Sequence, residues 1–115
     1  VQAIVIRDDL FERYARSSDF IQRHVFPGGM LPSVALFVRH AEAAGLRVTD
    51  RFAFGPDYAE TLRRWRHAFL ARLDDVRRQG FDERFVRLWD FYLAYCEAAF
   101  DAGNTDVVQF TLQRD

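Results

Sequence analysis

Apolar and polar positions along the chain follow two periods, one of strands and one of helices. "VQAIVI" (1–6) is a β-branched apolar run, the pattern of a short buried strand. Asp8 and Asp9 stand where a helix can start, ahead of "LFERYARSSDFIQRHVF". Ser17 and Ser18 are expected to split that stretch, because their hydroxyls compete for backbone hydrogen bonds. Ser33 sits at the N-cap of "VALFVRHAEAA" and Gly45 at its C′ position, so a helix is expected over 34–44. "LRVTDRFAF" then alternates as a strand over 46–54, with Leu46, Val48, Phe52 and Phe54 on one face and Arg47, Thr49 and Arg51 on the other. Asp50 falls on the apolar side of that pattern. Gly55 and Pro56 end the strand, and Asp57 with Glu60 three positions on reads as a helix cap. Tyr58, Leu62, Trp65, Phe69, Leu73 and Val76 recur at spacings of three and four, a helix that Gly80 closes. Asp82 caps a second long helix, with Phe85, Leu88, Trp89, Tyr92, Cys96, Ala99 and Phe100 in one stripe. "AGNTD" turns the chain into a last strand over 106–113, with Val108, Phe110 and Leu112 on one face.

The predicted class is α/β: three strands (1–6, 46–54, 106–113) with flanking helices, including a long helical pair before the last strand. No repeat, low-complexity segment or linker interrupts residues 1–115, so they read as one unit.

One segment does not fit a plain reading. "HVFPGGMLPS" (24–33) must be a sharp loop, because Pro27 cannot continue a helix and Gly28 accepts positive φ. Yet it carries Phe26, Met30 and Leu31, which a solvated loop does not need. Either the loop folds back on a core or these side chains face an apolar ligand. Composition sharpens the question: twelve Phe, four Tyr and two Trp suit either a phenylalanine-rich core or an aromatic ligand site. The net charge of −1 gives no bulk attraction for nucleic acid. A single cysteine, Cys96, allows no internal disulfide. No apolar run approaches the roughly 20 residues of a membrane span, and no signal peptide is visible. The opening strand, with no initiator Met, looks like a strand cut from a longer protein.

Motif chemistry is sparse. Gly28 and Gly29 do not follow a strand, so no phosphate-binding loop is present. His24, His40 and His67 lack metal-ligand spacing, and no serine occupies a nucleophile elbow. Cys96 lies on an apolar helix face, where an unreactive core thiol is the plain reading. Tyr58, on the first turn after Gly55-Pro56, is either a core tyrosine or one whose hydroxyl points to a pocket.

Taken together, "DFIQRHVFPGGMLPS", "GPDYAETLRRW" and "DVVQFTLQR" resemble the C-terminal part of the cyclopropane-fatty-acyl-phospholipid synthases and mycolic acid cyclopropane synthases. F-P-G-G-x-L-P-S is specific alone, and D-Y-x-x-T-L-x-x-W about 25 residues on makes chance improbable. The resemblance implies a Rossmann-like S-adenosylmethionine-dependent methyltransferase fold, here as its C-terminal fragment. The family's enzymes transfer the sulfonium methyl to the double bond of an acyl chain. The resulting cation loses a proton, with bicarbonate as the proposed base, and closes a cyclopropane. Such chemistry needs an apolar tunnel, because water would quench the cation.

The resemblance also implies roles for residues. Phe26, Leu62, Cys96 and Phe100 match channel-lining positions. Tyr58 matches the tyrosine that holds bicarbonate, and the backbone of Ile4 matches a further bicarbonate contact. Gln2 departs from the family, which places a bicarbonate-binding His there; an amide can donate a hydrogen bond but carries no charge. That departure leaves open an acyl C-methyltransferase without ring closure. The resemblance further implies phospholipid acyl chains as substrate and a cytoplasmic protein peripheral to the inner membrane surface. The S-adenosylmethionine loop would lie in an N-terminal half outside this chain, so residues 1–115 alone are expected to be inactive and to self-associate through an exposed strand edge. A stand-alone binding or dimerisation module is the competing expectation.

Overall fold

A computed structural model describes residues 1–115. Its elements are β1 (Gln2–Ile6), a 3-10 turn (Asp8–Leu10), α1 (Phe11–Arg16), α2 (Phe20–His24), α3 (Val34–Ala43), β2 (Leu46–Ala53), α4 (Gly55–Ala71), α5 (Leu73–Arg78), α6 (Glu83–Asp101) and β3 (Thr105–Arg114). The strands form one sheet in the order β1-β3-β2, and β3 runs antiparallel to both neighbours. The class is α/β as expected, with β1 and β2 parallel to each other across a reversed central strand.

β3 is central and buried on both sides: Val107 and Val108, adjacent in sequence and so on opposite faces, are both almost inaccessible. Val108 and Phe110 meet Val5 on one face, where Val34 and Phe37 of α3 cover them. Val107 faces the other way, into a cluster with Ala59 and Leu62 of α4 and Leu93 and Phe100 of α6. α4 and α6 pack together, tied by Arg63 to Glu97 and Asp101 and by Arg66 to Asp90. The pair helps give the molecule its elongated form, 53 × 28 × 25 Å.

Local signals are met in several places. Ser33 Oγ accepts from the Leu36 N–H, and Asp82 accepts from the Phe85 N–H, each capping its helix. Ser17 ends α1, with its hydroxyl donating to the Arg13 carbonyl. Phe26, Pro27, Gly28 and Gly29 form a turn in which the Gly29 N–H donates to the Phe26 carbonyl. Gly28 there has φ +77°, so Pro then Gly supply the two conformations a type II turn needs.

Three expectations are corrected. The alternation of 46–54 is broken by a bulge: Val48 pairs with Leu112 but Asp50 with Thr111, leaving Thr49 as the extra residue. The bulge moves Asp50 off the apolar face and carries Phe52 with it, opposite Gln109, where Phe52 is 60% exposed and stacks on Phe54. Asp57 does not cap α4. The helix begins two residues earlier at Gly55, whose N–H is taken by Asp106 Oδ1 of β3 at 2.7 Å. A Cβ at Gly55 would collide with that carboxylate, so the position requires glycine for close approach. The stripe from Tyr58 to Val76 is not one helix: the chain leaves helical geometry at Arg72 (φ −122°, ψ 27°) and resumes as α5.

A candidate acyl-chain cleft

The face of the sheet that carries Val107 is only partly covered by the helical pair. Beside α6 lies a cleft of about 500 Å³. Its floor is Ile4 and Ile6 of β1, with Asn104 and Thr105 where β3 begins. One wall is α6, through Tyr92, Tyr95, Cys96, Ala99 and Phe100. These positions recur at helical spacing, so one face of one helix supplies the wall. The other wall comes from the 10–31 segment: Leu10, Arg13 and Tyr14, then Ile21, Phe26 and Leu31. Twelve of the seventeen lining residues are hydrophobic, which suits an alkyl chain.

The 10–31 wall is held by hydrogen bonds that have no local sequence signature. Tyr14 Oη accepts from the Leu31 N–H at 2.9 Å, joining α1 to the far end of the loop. Asp19 and Gln22 cap α2 reciprocally, and Gln22 Nε2 reaches on to the Gly29 carbonyl. Tyr95 Oη donates to Asp19 Oδ2 at 3.3 Å, linking this segment to α6. Phe26 is 58% exposed but stands edge-on to Tyr92, ring centroids 6.3 Å apart. Thus Phe26 and Leu31 turn into the cleft, while Met30 points out to solvent.

The cleft's tyrosines and its one thiol keep their protons. Burial pushes the Tyr92 hydroxyl up to about 12 and raises those of Tyr14 and Tyr95. Burial pushes the Cys96 thiol from its ordinary 9 to about 11, against a hydrogen bond with Tyr92 that lowers it. Cys96 is therefore an unreactive thiol facing the cleft.

The residues singled out from the sequence are divided. Ile4, Phe26, Cys96 and Phe100 come together as lining. Leu62 is 2% exposed, in the core between α4 and α6, and borders a separate apolar hollow beside Trp65 and Trp89. Tyr58 stands behind the wall, edge-on to Phe100 at 5.0 Å and to Trp65 at 6.0 Å. Burial, then the Cys96 thiol, raise its hydroxyl pKa, so it remains a donor. Gln2 lies outside the cleft, its side-chain carbonyl accepting from Gln109 Nε2 at 3.1 Å. Asp106, Tyr14, Tyr95 and Asp19 are structurally central yet were not singled out. The D-x-x-Q spacing of Asp19 and Gln22 is the one local signal among their contacts.

Ile4 offers its backbone as well. Val1 and Phe110 exchange both hydrogen bonds, so bonded pairs continue at Ala3 and Val5, and the N–H and C=O of Ile4 point away from β3. The next outward N–H, that of Ile6, donates to the Pro32 carbonyl at 2.9 Å.

A sheet closed on one face and bordered by an aromatic-walled apolar cleft on the other defines an α/β domain with one open apolar face. The chain belongs to the mycolic acid cyclopropane synthetase family, which matches residues 1–110. It is 43% identical over its whole length to tuberculostearic acid methyltransferase UfaA1 of Mycobacterium tuberculosis, of which it covers 27%. It is 38% identical over 83% of its length to cyclopropane mycolic acid synthase 3 of the same species, covering 33% of that protein. Among solved structures, mycolic acid cyclopropane synthase CmaA1 complexed with SAH and CTAB superposes on 98% of this chain with a TM-score of 0.86 and 32% identity. The aligned region is 42% of CmaA1. The chain therefore spans between about a quarter and two fifths of the relatives it matches.

Proposed function

We propose that residues 1–115 are the acyl-facing C-terminal part of an S-adenosylmethionine-dependent enzyme that adds one carbon to the double bond of an unsaturated phospholipid acyl chain. The reading is that of a cyclopropane-fatty-acyl-phospholipid synthase, cytoplasmic and peripheral to the inner membrane surface. The observation that carries it is the apolar cleft between α6 and the 10–31 segment, in a chain of this family. No glycine-rich loop follows a strand in this chain, so no step is assigned to it through the methyl donor. This chain's share is to hold the acyl chain, exclude water and set the rings of Phe26, Tyr92 and Phe100 along the cleft, where aromatic rings can stabilise a developing positive charge. No helix is long and apolar enough to cross a membrane, so the acyl chain would be taken up from the surface.

Tyr58 and Ile4 fit an anionic base as neutral donors. Tyr58 keeps its proton and Ile4 has an outward amide, so each could donate to an anion, Ile4 at the cleft floor and Tyr58 from behind Phe100. Bicarbonate held there would supply a proton acceptor. Gln2 adds no charge and is engaged by Gln109. That favours a second reading, methyl transfer without ring closure, and the 43% identity to a relative named as a methyltransferase supports it. The outward edge of β1 also supports self-association of the isolated chain, which by itself is expected to be inactive.

The test is mass spectrometry of lipids from cells expressing the full-length protein. Monounsaturated phospholipid chains should gain one CH2, and proton NMR of the product separates a cyclopropane from a branched chain that keeps a double bond. Acyl chains of unchanged mass would refute the reading.

A further inference from the structure

Outside the cleft, α6 carries a second stripe that neither the core nor α4 uses. Arg84, Arg87 and Phe91 recur at spacings of three and four, so they share a face, which ends against Tyr95 of the cleft wall. Phe91 is 52% exposed and receives the edge of Phe20 from α2 at 4.6 Å. Phe20 shares its face of α2 with Arg23 and His24, and the His24 ring is 5.2 Å away. An exposed Phe91 ring, backed by the half-buried Phe20, is thus flanked on both sides by basic residues.

The acids of α6 lie elsewhere. Asp90 is bonded to Arg66, and Glu97 and Asp101 to Arg63, all toward α4. Glu83, which feels Arg87, is bonded to Arg77. Arg84 and Arg87 make no ion pair of their own. Asp19, the acid behind the aromatic pair, accepts from Gln22 and Tyr95. The protein's net charge of −1 makes this a local feature and not a bulk one.

We propose that the α6 face of Arg84, Arg87 and Phe91, with Phe20 of α2, lies on an anionic lipid bilayer. An exposed Phe91 ring beside arginines that make no ion pair suits the interface of such a bilayer, where a ring enters between headgroups and guanidinium groups meet phosphates. An acidic protein partner would use the arginines but leave the ring of Phe91 in water. The placement rests on the proposed acyl substrate. Tyr92 and Tyr95 of the cleft wall flank this stripe on α6, so a phospholipid chain leaving the bilayer there has a short path inward.

The experiment is co-sedimentation of the full-length protein with phosphatidylglycerol–phosphatidylcholine vesicles and with pure phosphatidylcholine vesicles. Arg84→Gln/Arg87→Gln is expected to lower partition onto the anionic vesicles about thirty-fold, from the usual worth of a surface arginine near anionic lipid. Phe91→Ser should lower partition onto both. None of these residues lines the cleft, so one-carbon transfer to acyl chains dispersed in detergent micelles should stay at the wild-type rate. Wild-type partition by the double variant overturns the proposal, whether or not an acidic protein binds the patch. Patch-dependent partition with no transfer even in micelles would instead sink the acyl-substrate reading and leave the surface standing.

Discussion

The two faces of the sheet share one central strand and do opposite things with it. On the α3 face, Val5, Val108 and Phe110 are all nearly inaccessible, and Phe37 lies flat on Phe110 with centroids 4.0 Å apart. Side chains fill that side and hold nothing open. On the α6 face, Val107 and Phe100 are equally buried, but next to them the wall of Tyr92, Tyr95 and Cys96 stays half-exposed around a 500 Å³ cleft. What differs is the cover. A single helix lies close along the first face. The second is spanned by a helical pair on one side and by a hydrogen-bonded loop segment on the other, and these leave a gap between them. An apolar side chain is therefore structural or ligand-facing according to what covers it.

Breaking the closed face should have the largest effect. Phe110→Ala removes a stacked, buried ring and is expected to cost about 3–5 kcal/mol, read as a lowered Tm or urea midpoint. Leu62→Ala tests whether that residue belongs with the core or the cleft. Its burial between α4 and α6 predicts a loss of about 2–5 kcal/mol in stability. A variant of near-native stability with weakened acyl binding would move Leu62 to the cleft. Tyr58→Phe keeps the ring packed on Phe100 and removes only the hydroxyl. Stability should change little, while turnover of the full-length protein falls about ten- to a hundred-fold if that hydroxyl holds the anionic base. Unchanged turnover and bicarbonate dependence would make Tyr58 a core residue.

The smallest effect concerns Cys96. With its pKa raised from 9 to about 11, the thiolate is about a hundred-fold scarcer at neutral pH than for an ordinary thiol. Alkylation by iodoacetamide should be correspondingly slow and should accelerate only as pH nears that value. The unfolded chain loses this proton at lower pH than the folded one, so the contribution to stability is full below 9 and is lost as pH rises through about 11. Tyr92, raised to about 12, extends the same trend upward. Rapid alkylation at neutral pH would contradict a cleft that excludes water.

Sequence pattern reached the elements because periodicity is local. Ser33, Asp82 and the Pro27-Gly28 turn each act within three residues of themselves, and each is found where expected. The errors occur where a distant group decides. The bulge at Thr49 is visible only in the pairing with Thr111, and the start of α4 is set by Asp106, which lies 51 residues away. The cleft divides likewise. The α6 wall was legible as a stripe in Tyr92, Cys96, Ala99 and Phe100 but not in Tyr95, and Phe26 stood out as a misplaced apolar residue. The wall of Tyr14, Ile21 and Leu31 depends on the Tyr14–Leu31 and Tyr95–Asp19 contacts, which span 17 and 76 residues and leave no trace in spacing.

The central claim is that the open face holds an acyl chain. Ala99 lines the cleft on α6 between Cys96 and Phe100, and its small side chain leaves room that an indole would fill. Ala99→Trp in the full-length protein, followed by mass spectrometry of cellular phospholipids and a thermal melt, isolates that room from the fold. We expect an intact cooperative melt with the one-carbon product reduced by at least about tenfold, the loss of roughly 1.4 kcal/mol of transition-state stabilisation. Wild-type product levels from a folded Ala99→Trp protein would show that the acyl chain does not occupy this cleft.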